Sequence, residues 1–306
     1  MDKEAMESSA FCPKLSVIIL TYNQESMIER CLNSILLSDT KAVELVIADD
    51  CSKDNTAEVA STWLSQNASF FYKTSFFSNP QNLGTVKNVI KAVSASGGEY
   101  IKLLAGDDWF LDGALDCMIE YISSHDFDVA FSKVSMAVGN ENGEIFTNNE
   151  NHKYDNLNHF FNSKPLQQFE FLAVRNRLPA PASLFSRTFW KKINLSECEL
   201  IYTEDWAMWL LGTLIQARFV QIDKPLVVYY EHNASVSKKA NGTTFRRYAK
   251  DVAWTFENLI LPNKKKLPLR TCIFVFFRYR LTKLIASLPN GIVQIFAVLK
   301  NKLDQM

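Results

Sequence analysis

The chain has 306 residues, 47% hydrophobic and 22% charged, and its six scattered cysteines form no C-x-x-C pair. That composition buries a full core and excludes a disordered chain, a disulfide scaffold and a zinc module. Formal net charge is zero, which argues against a nucleic-acid binder, but the charge is divided: residues 236–306 carry 14 Lys and Arg against 3 Asp and Glu, leaving 19 against 30 in residues 1–235.

The opening MDKEAMESSAFCPK is polar and acidic, without a signal-length apolar run, so a cytoplasmic protein is expected. Leu15–Leu20 (LSVIIL) is a continuous β-branched run of the kind that forms a parallel strand buried on both faces. Residues 26–37 place Met27, Ile28, Cys31, Leu32, Ile35 and Leu36 at helical spacing, and Val43–Ala48 returns as a second buried strand. Helix is expected again over residues 54–66, a short strand over 69–73, helix over 85–95 and strand over 100–104. From Ser132 to Pro181 the pattern loosens into an Asn-rich loop with helix at 167–175; a helix follows at 205–214 and one or two strands at 217–230. Alternation of this kind predicts an α/β sheet with helices on both faces and ligands at the carboxyl ends of its strands.

Four motifs carry chemistry. Asp49-Asp50-Cys51-Ser52-Lys53-Asp54-Asn55-Thr56 follows a buried strand; its carboxylates could accept hydrogen bonds from a nucleobase or ribose, or the segment could be a solvated turn that caps a helix. Gly106-Asp107-Asp108-Trp109 exposes adjacent carboxylates at another strand end. Such a pair is costly unless donors or a hard divalent cation offset it, and an Asp-rich turn is the plainer alternative. Glu204-Asp205 opens a helix, which favours acidic residues electrostatically, and either carboxylate could deprotonate an acceptor hydroxyl. His232, in Tyr229-Tyr230-Glu231-His232-Asn233-Ala234-Ser235, could face a metal or a diphosphate, or simply lie on the surface.

In this order, SVIILTYNQESMIERCLNSI, ELVIADDCSKDNT, NPQNLGTVKNVIKAVSASGGEYIKLLAGDDW, YTEDWAMWL and YYEHNASVS resemble glycosyltransferase family 2. The resemblance implies the GT-A fold, a Rossmann-like mixed sheet with helices on both faces, over residues 14–235, with residues 236–306 as a basic helical extension. It further implies an inverting transferase that moves a sugar from a nucleotide-sugar donor, usually a UDP-sugar, to an acceptor hydroxyl. Thr21, Tyr22, Asn23 and Glu25 would line the nucleotide pocket with Asn82, Gly84 and Lys87, and Asp50 would read the base. Asp107 would serve ribose or phosphate, Asp108 and His232 a Mn²⁺ or Mg²⁺ ion, and Asp205 would be the catalytic base. Two departures matter: one carboxylate of the usual D-x-D is Gly106, and the Q-x-x-R-W signature of processive members is missing, so addition of a single sugar is expected. The alternatives are a non-catalytic nucleotide-sugar or glycan-binding relative, against which the presence of Asp205 weighs, and a nucleotidyltransferase, which should carry a Gly-rich basic loop that residues 21–25 do not offer.

Residues 267–288 interleave Phe274, Val275, Phe277, Leu281, Leu284 and Ile285 with Arg270, Arg278, Arg280 and Lys283. The stretch suits either an anionic membrane surface or a helix packed on the catalytic domain. Partners expected are a nucleotide-sugar donor and a glycan or lipid-linked glycan acceptor, as in surface polysaccharide assembly at the inner face of the cytoplasmic membrane.

Overall fold

The computed structural model describes residues 14–139, 145–148, 157–232, 242–289 and 292–293. In chain order it contains β1 (Leu15–Thr21), α1 (Ile28–Ile35), β2 (Val43–Asp49), α2 (Thr56–Asn67), β3 (Lys73–Ser78), α3 (Thr85–Ser94) and β4 (Tyr100–Ala105). These are followed by β5 (Trp109–Phe110), α4 (Ala114–Ser124), β6 (Val129–Gly139), β7 (Ile145–Asn148), α5 (Asn158–Phe161) and α6 (Pro165–Val174). The remainder is β8 (Ser183–Ser186), α7 (Arg187–Ile193), α8 (Glu204–Leu214), β9 (Phe219–Glu231), α9 (Gly242–Thr255) and α10 (Leu269–Ser287).

The strands form one mixed sheet in the order β3-β2-β1-β4-β8-β6-β9-β5, with β7 paired to β6. β1 lies parallel between β2 and β4, Leu15 standing opposite both Val43 and Tyr100, so all three strands end at one level. Their apolar runs are buried on both faces, as continuous β-branched sequences require. Buried Glu44 sets the entry to β4: it accepts from Ser16 Oγ (2.6 Å) and Gly97 N (2.6 Å) and is paired with Lys73. A Cβ on Gly98 would stand 2.6 Å from Ser16 N, so only glycine lets the turn approach β1 this closely. The second half of the sheet is differently built. β8 runs antiparallel to β4, and β6 runs parallel to β9 with irregular register at Ser132 to Val134. β5 leaves the end of β4 to pair antiparallel with β9, Trp109 opposite Val228. The chain just after Asp108 therefore crosses from one half of the sheet to the other.

Two expectations need correction. The strand expected at residues 69–73 lies at 73–78, because the edge β3 is only partly buried and carries no full apolar run. The loop expected over 132–181 holds most of β6, a buried strand, with β7 and α5, while α6 matches the helix expected at 167–175; Ser132, Lys133 and Ser135 interrupt the apolar pattern of β6. The described part of the basic extension packs on the catalytic domain, one of the two arrangements expected for it. Its described residues Val252, Phe256, Leu259, Ile260, Leu267 and Val275 belong to the same core as the catalytic strands. Phe256 is fully buried and meets the Trp206 ring edge-on at 5.6 Å, Thr271 donates to Glu170 (2.6 Å), and Arg278 donates to the carbonyl of Val174. The outer face of α10 stays exposed, with Phe277 at 67% and Leu281 at 54%.

Because this packing is continuous, Phe256→Ala should destabilise the whole molecule by about 3–5 kcal/mol. Urea denaturation followed by tryptophan fluorescence should show one transition at lower midpoint; an unchanged main transition would mean that the extension folds apart from the rest.

Candidate active site

The sequence-predicted residues gather at the carboxyl ends of β1, β2 and β4 and on segments that pack against them. After β1 the chain turns through Asn23, which adopts a left-handed φ of 53°. Asn23 Oδ1 accepts from Lys53 N (2.7 Å), and Glu25 accepts from Asn55 N (2.8 Å) at the start of α2. Residues 21–25 and 49–56 are thus clamped together, with Thr21 buried and its hydroxyl donating to Gln24, while Tyr22, Asn23 and Glu25 face outward. Gly106 lies beneath this turn, where a Cβ would stand 2.7 Å from Gln24 Oε1.

Asp50 is 4% exposed and holds the loop ahead of α3. Its carboxylate accepts from Asn79 Nδ2 (2.9 Å), Leu83 N (2.8 Å) and Gly84 N (2.8 Å), and its carbonyl from Asn82 Nδ2 (3.2 Å). A carboxylate has about four acceptor positions, so one remains for a ligand N–H. Gly84 has a φ of 81°, and a Cβ there would press on Ile201. Val86 N also donates to Ile201 O (3.2 Å), which fastens the loop to the segment that leads into α8. Lys87 stands exposed on the first turn of α3.

Asp107 and Asp108 follow β4. Asp108 is 2% exposed and accepts from Tyr230 N (2.9 Å); burial, then the neighbouring charge of Asp107, raises its pKa well above the ordinary carboxylate range. His232 Nε2 lies 2.9 Å from Asp107 Oδ2, so the imidazole engages Asp107 rather than Asp108. Its ring stacks on Tyr230.

Two basic residues here were missed from sequence. Arg30 on α1 lies over the Trp109 ring at 3.9 Å and the Tyr230 ring at 4.7 Å, and donates to the carbonyl of Asp107 (3.1 Å). Lys102 is fully buried in β4 and donates to the carbonyls of Pro181 and Ser183; burial lowers its pKa to about 7. A lysine inside an apolar strand and an arginine on a surface-patterned helix give no local signal, because their partners come from distant segments. Among the described residues no group of three or more His, Cys, Asp or Glu is placed to hold a metal ion. The donor set fits a cation shared with a ligand: buried, adjacent carboxylates beside an imidazole, too few oxygens for a closed cage.

Asp205 lies in the first turn of α8. Asn176 Nδ2 donates to its Oδ2 (2.6 Å) and Trp206 N to its Oδ1 (2.7 Å), while burial raises its pKa. Beside it, Glu204 Oε2 is buried without a hydrogen-bond partner, and burial followed by the charge of Asp205 pushes its pKa up to about 8. Two donors on Asp205 and none on Glu204 Oε2 favour the negative charge on Asp205 and the proton on Glu204. Asn176 and Asp251 were also missed. Asp251, from α9, accepts from Ile201 N (3.0 Å) and Tyr202 N (2.7 Å), fixing the approach to α8.

Residues 16–189 match the sequence model of glycosyl transferase family 2, more than half of the chain. The chain belongs to glycosyl transferase family 2. It is 26% identical over 267 residues to a GalNAc(5)-diNAcBac-PP-undecaprenol beta-1,3-glucosyltransferase of Campylobacter jejuni, covering 85% of this chain and 79% of that protein. Over 100 residues it is 39% identical to an uncharacterized glycosyltransferase of Mycoplasma genitalium, covering 31% of this chain and 32% of the other. Its fold is shared with the mannosyltransferase PcManGT of Pyrobaculum calidifontis, solved with GDP-Man and Mn²⁺, at TM-score 0.56 and 14% identity over 97% of this chain and 89% of that one. S. aureus TarS 1-349 with UDP matches at TM-score 0.52 and 20% identity, over 83% of this chain and 68% of that one. The family 2 chain is a glycosyltransferase with the GT-A fold, and its Asp49-Asp50 and Asp107-Asp108 pairs fall at the carboxyl ends of β2 and β4.

The proton on Glu204 has a consequence for stability. A carboxyl whose folded pKa rises from 4.5 to about 8 stabilises the fold below the unfolded value, and that contribution is lost as pH climbs through the folded one. Glu204→Gln should remove the loss, making the variant progressively more stable than wild type between those two pH values. Urea midpoints measured across that range check it; parallel curves for both proteins would show that Glu204 is charged throughout.

Proposed function

We propose that this glycosyltransferase transfers a single sugar from a UDP-sugar to a hydroxyl of a glycan acceptor, inverting the anomeric centre, during assembly of a lipid-linked surface polysaccharide. The observation that carries the reading is Asp205, a carboxylate held by Asn176 in the first turn of α8 and joined through Ile201 to the loop that Asp50 organises. The relative that acts on an undecaprenol-linked glycan supports the acceptor class, and the UDP of the TarS structure supports the donor.

In this reading the uracil lies against the clamped 21–25 and 49–56 turns, where the remaining acceptor position of Asp50 takes one base N–H. Thr21, Tyr22, Asn23, Glu25, Asn82, Gly84 and Lys87 shape that end of the pocket, Lys87 facing the phosphates. Asp108, Asp107 and His232 would hold Mn²⁺ or Mg²⁺, which when bound supplies charge neutralisation for the departing diphosphate. Asp205 accepts the proton of the acceptor hydroxyl as its oxygen bonds to the anomeric carbon. The bond from that carbon to the diphosphate oxygen breaks, and UDP departs from the opposite face, so configuration inverts. Desolvation around Asp205 raises its basicity, and the neutral Glu204 beside it adds no second negative charge.

No helix among the described residues is long and apolar enough to cross a membrane. The exposed apolar residues of α10, Leu269, Phe274, Phe277, Leu281 and Leu284, interleaved with Arg270, Arg280 and Lys283, support peripheral contact with an anionic membrane from the cytoplasmic side.

Asp205→Asn should leave UDP binding intact and lower kcat by about 10²–10⁴. Product formation from radiolabelled UDP-sugars checks this, and full transfer by the purified variant would remove Asp205 as the base. Asp108→Ala should weaken UDP binding only when Mn²⁺ is present, as read by calorimetry with the ion and with chelator.

A further inference from the structure

Asn176, which orients the proposed base, sits between two exposed arginines, Arg175 and Arg177. A third approaches from the extension: Arg278 of α10 donates to the carbonyl of Val174, the residue just before Arg175. No carboxylate among the described residues pairs with any of the three. Arg177 lies over the Phe171 ring at 5.0 Å, and Arg278 over the Phe256 ring at 5.8 Å. After burial, the charge of Arg175 is the next cause that lowers the pKa of Arg177, and it also disfavours the charged form of Arg278. Three like charges with no counter-charge among the described residues are unfavourable, and an anion would relieve them.

The surroundings indicate what carries that anion. Phe277, the neighbour of Arg278, lines an apolar groove of about 340 Å³ with Leu261, Lys264, Cys272, Ile273 and Phe276. Phe274, Phe277, Leu281 and Leu284 recur at helical spacing along the exposed side of α10. Guanidinium groups favour phosphate oxygens in forked pairs, and an apolar groove along the helix that carries Arg278 suits a hydrocarbon chain.

We infer that Arg175, Arg177 and Arg278 form a binding site for the phosphate or diphosphate of a lipid-linked acceptor, whose chain lies along α10. The inference rests on the transferase reading and adds the group by which the acceptor is held beside Asp205. Two sources could supply the same chemistry, the acceptor itself or the phosphate of membrane headgroups.

The test uses full-length protein, without divalent cation so that the donor site does not compete. Farnesyl diphosphate, with farnesol as control, stands for the acceptor, and vesicles of phosphatidylglycerol or phosphatidylcholine stand for the membrane; UDP binding with Mn²⁺ is measured alongside. Arg175→Gln/Arg177→Gln, both at exposed positions, should weaken farnesyl diphosphate binding about tenfold or more. It should leave farnesol and UDP binding at wild-type levels. Arg175→Lys/Arg177→Lys should recover part of the loss, because charge returns without the forked geometry. Loss confined to phosphatidylglycerol vesicles would overturn the acceptor assignment and give the site to headgroups. Wild-type affinity of the Gln variant for both probes would overturn the site altogether. Failure of wild type to bind UDP would instead strike the transferase reading.

Discussion

The parallel register of β1 between β2 and β4 is the constraint on which the rest of the structure depends. With Leu15 opposite both Val43 and Tyr100, Thr21 stands opposite Asp49 and Leu20 opposite Ala105, so three buried strands release their chains at one level. A slip of one residue would turn every buried side chain to the other face, which strands buried on both faces and shaped to their neighbours do not tolerate. The turns leaving those strands then have little room. They are closed by backbone N–H groups that donate to Asn23, Glu25 and Asp50, and by the left-handed conformations of Asn23, Cys51 and Gly84. Polar residues at the strand ends are what the core leaves over, and the site is made of them.

The C-terminal half meets this edge at a few defined places. β5 carries the chain beyond Asp108 onto β9, whose Tyr230 N–H holds that carboxylate. Ile201 packs on Gly84, and Asp251 of α9 fixes the residues next to Ile201. The extension therefore has two faces with different jobs. Its inner face completes the core and steadies the approach to Asp205, while its outer face keeps large apolar side chains in solvent. Burial is the leading cause at five groups, raising Asp108, Glu204 and Asp205 and lowering Lys102 and Arg30, whereas at buried Glu44 hydrogen bonds and Lys73 outweigh it.

The first half of the fold was legible in the sequence because its strands are buried on both faces and its helices are amphipathic, so periodicity and strand-end motifs coincide. Val43–Asp49 and Tyr100–Ala105 were readable almost to the residue for that reason. β6 was not, since Lys133 and two serines break an apolar run that only its pairing with β9 explains. In the site, Asp205 and the adjacent Asp107 and Asp108 announced themselves as acidic pairs. Asn176, Arg30, Lys102 and Asp251 did not, because each acts through a partner at least 29 residues away, as with Asn176 and Asp205, and no local pattern marks it. The basic tail was visible as charge, but its burial against Trp206 could be seen only once α9 and α8 were side by side.

We propose that the acidic edge of this sheet holds a nucleoside diphosphate together with a divalent cation. Anomalous X-ray scattering from crystals grown with UDP and Mn²⁺ tests it most directly. One manganese peak bounded by the Asp108 carboxylate and the diphosphate, with the uracil against Asp50, is expected. A nucleotide bound elsewhere, or manganese bound away from Asp107, Asp108 and His232, would contradict it.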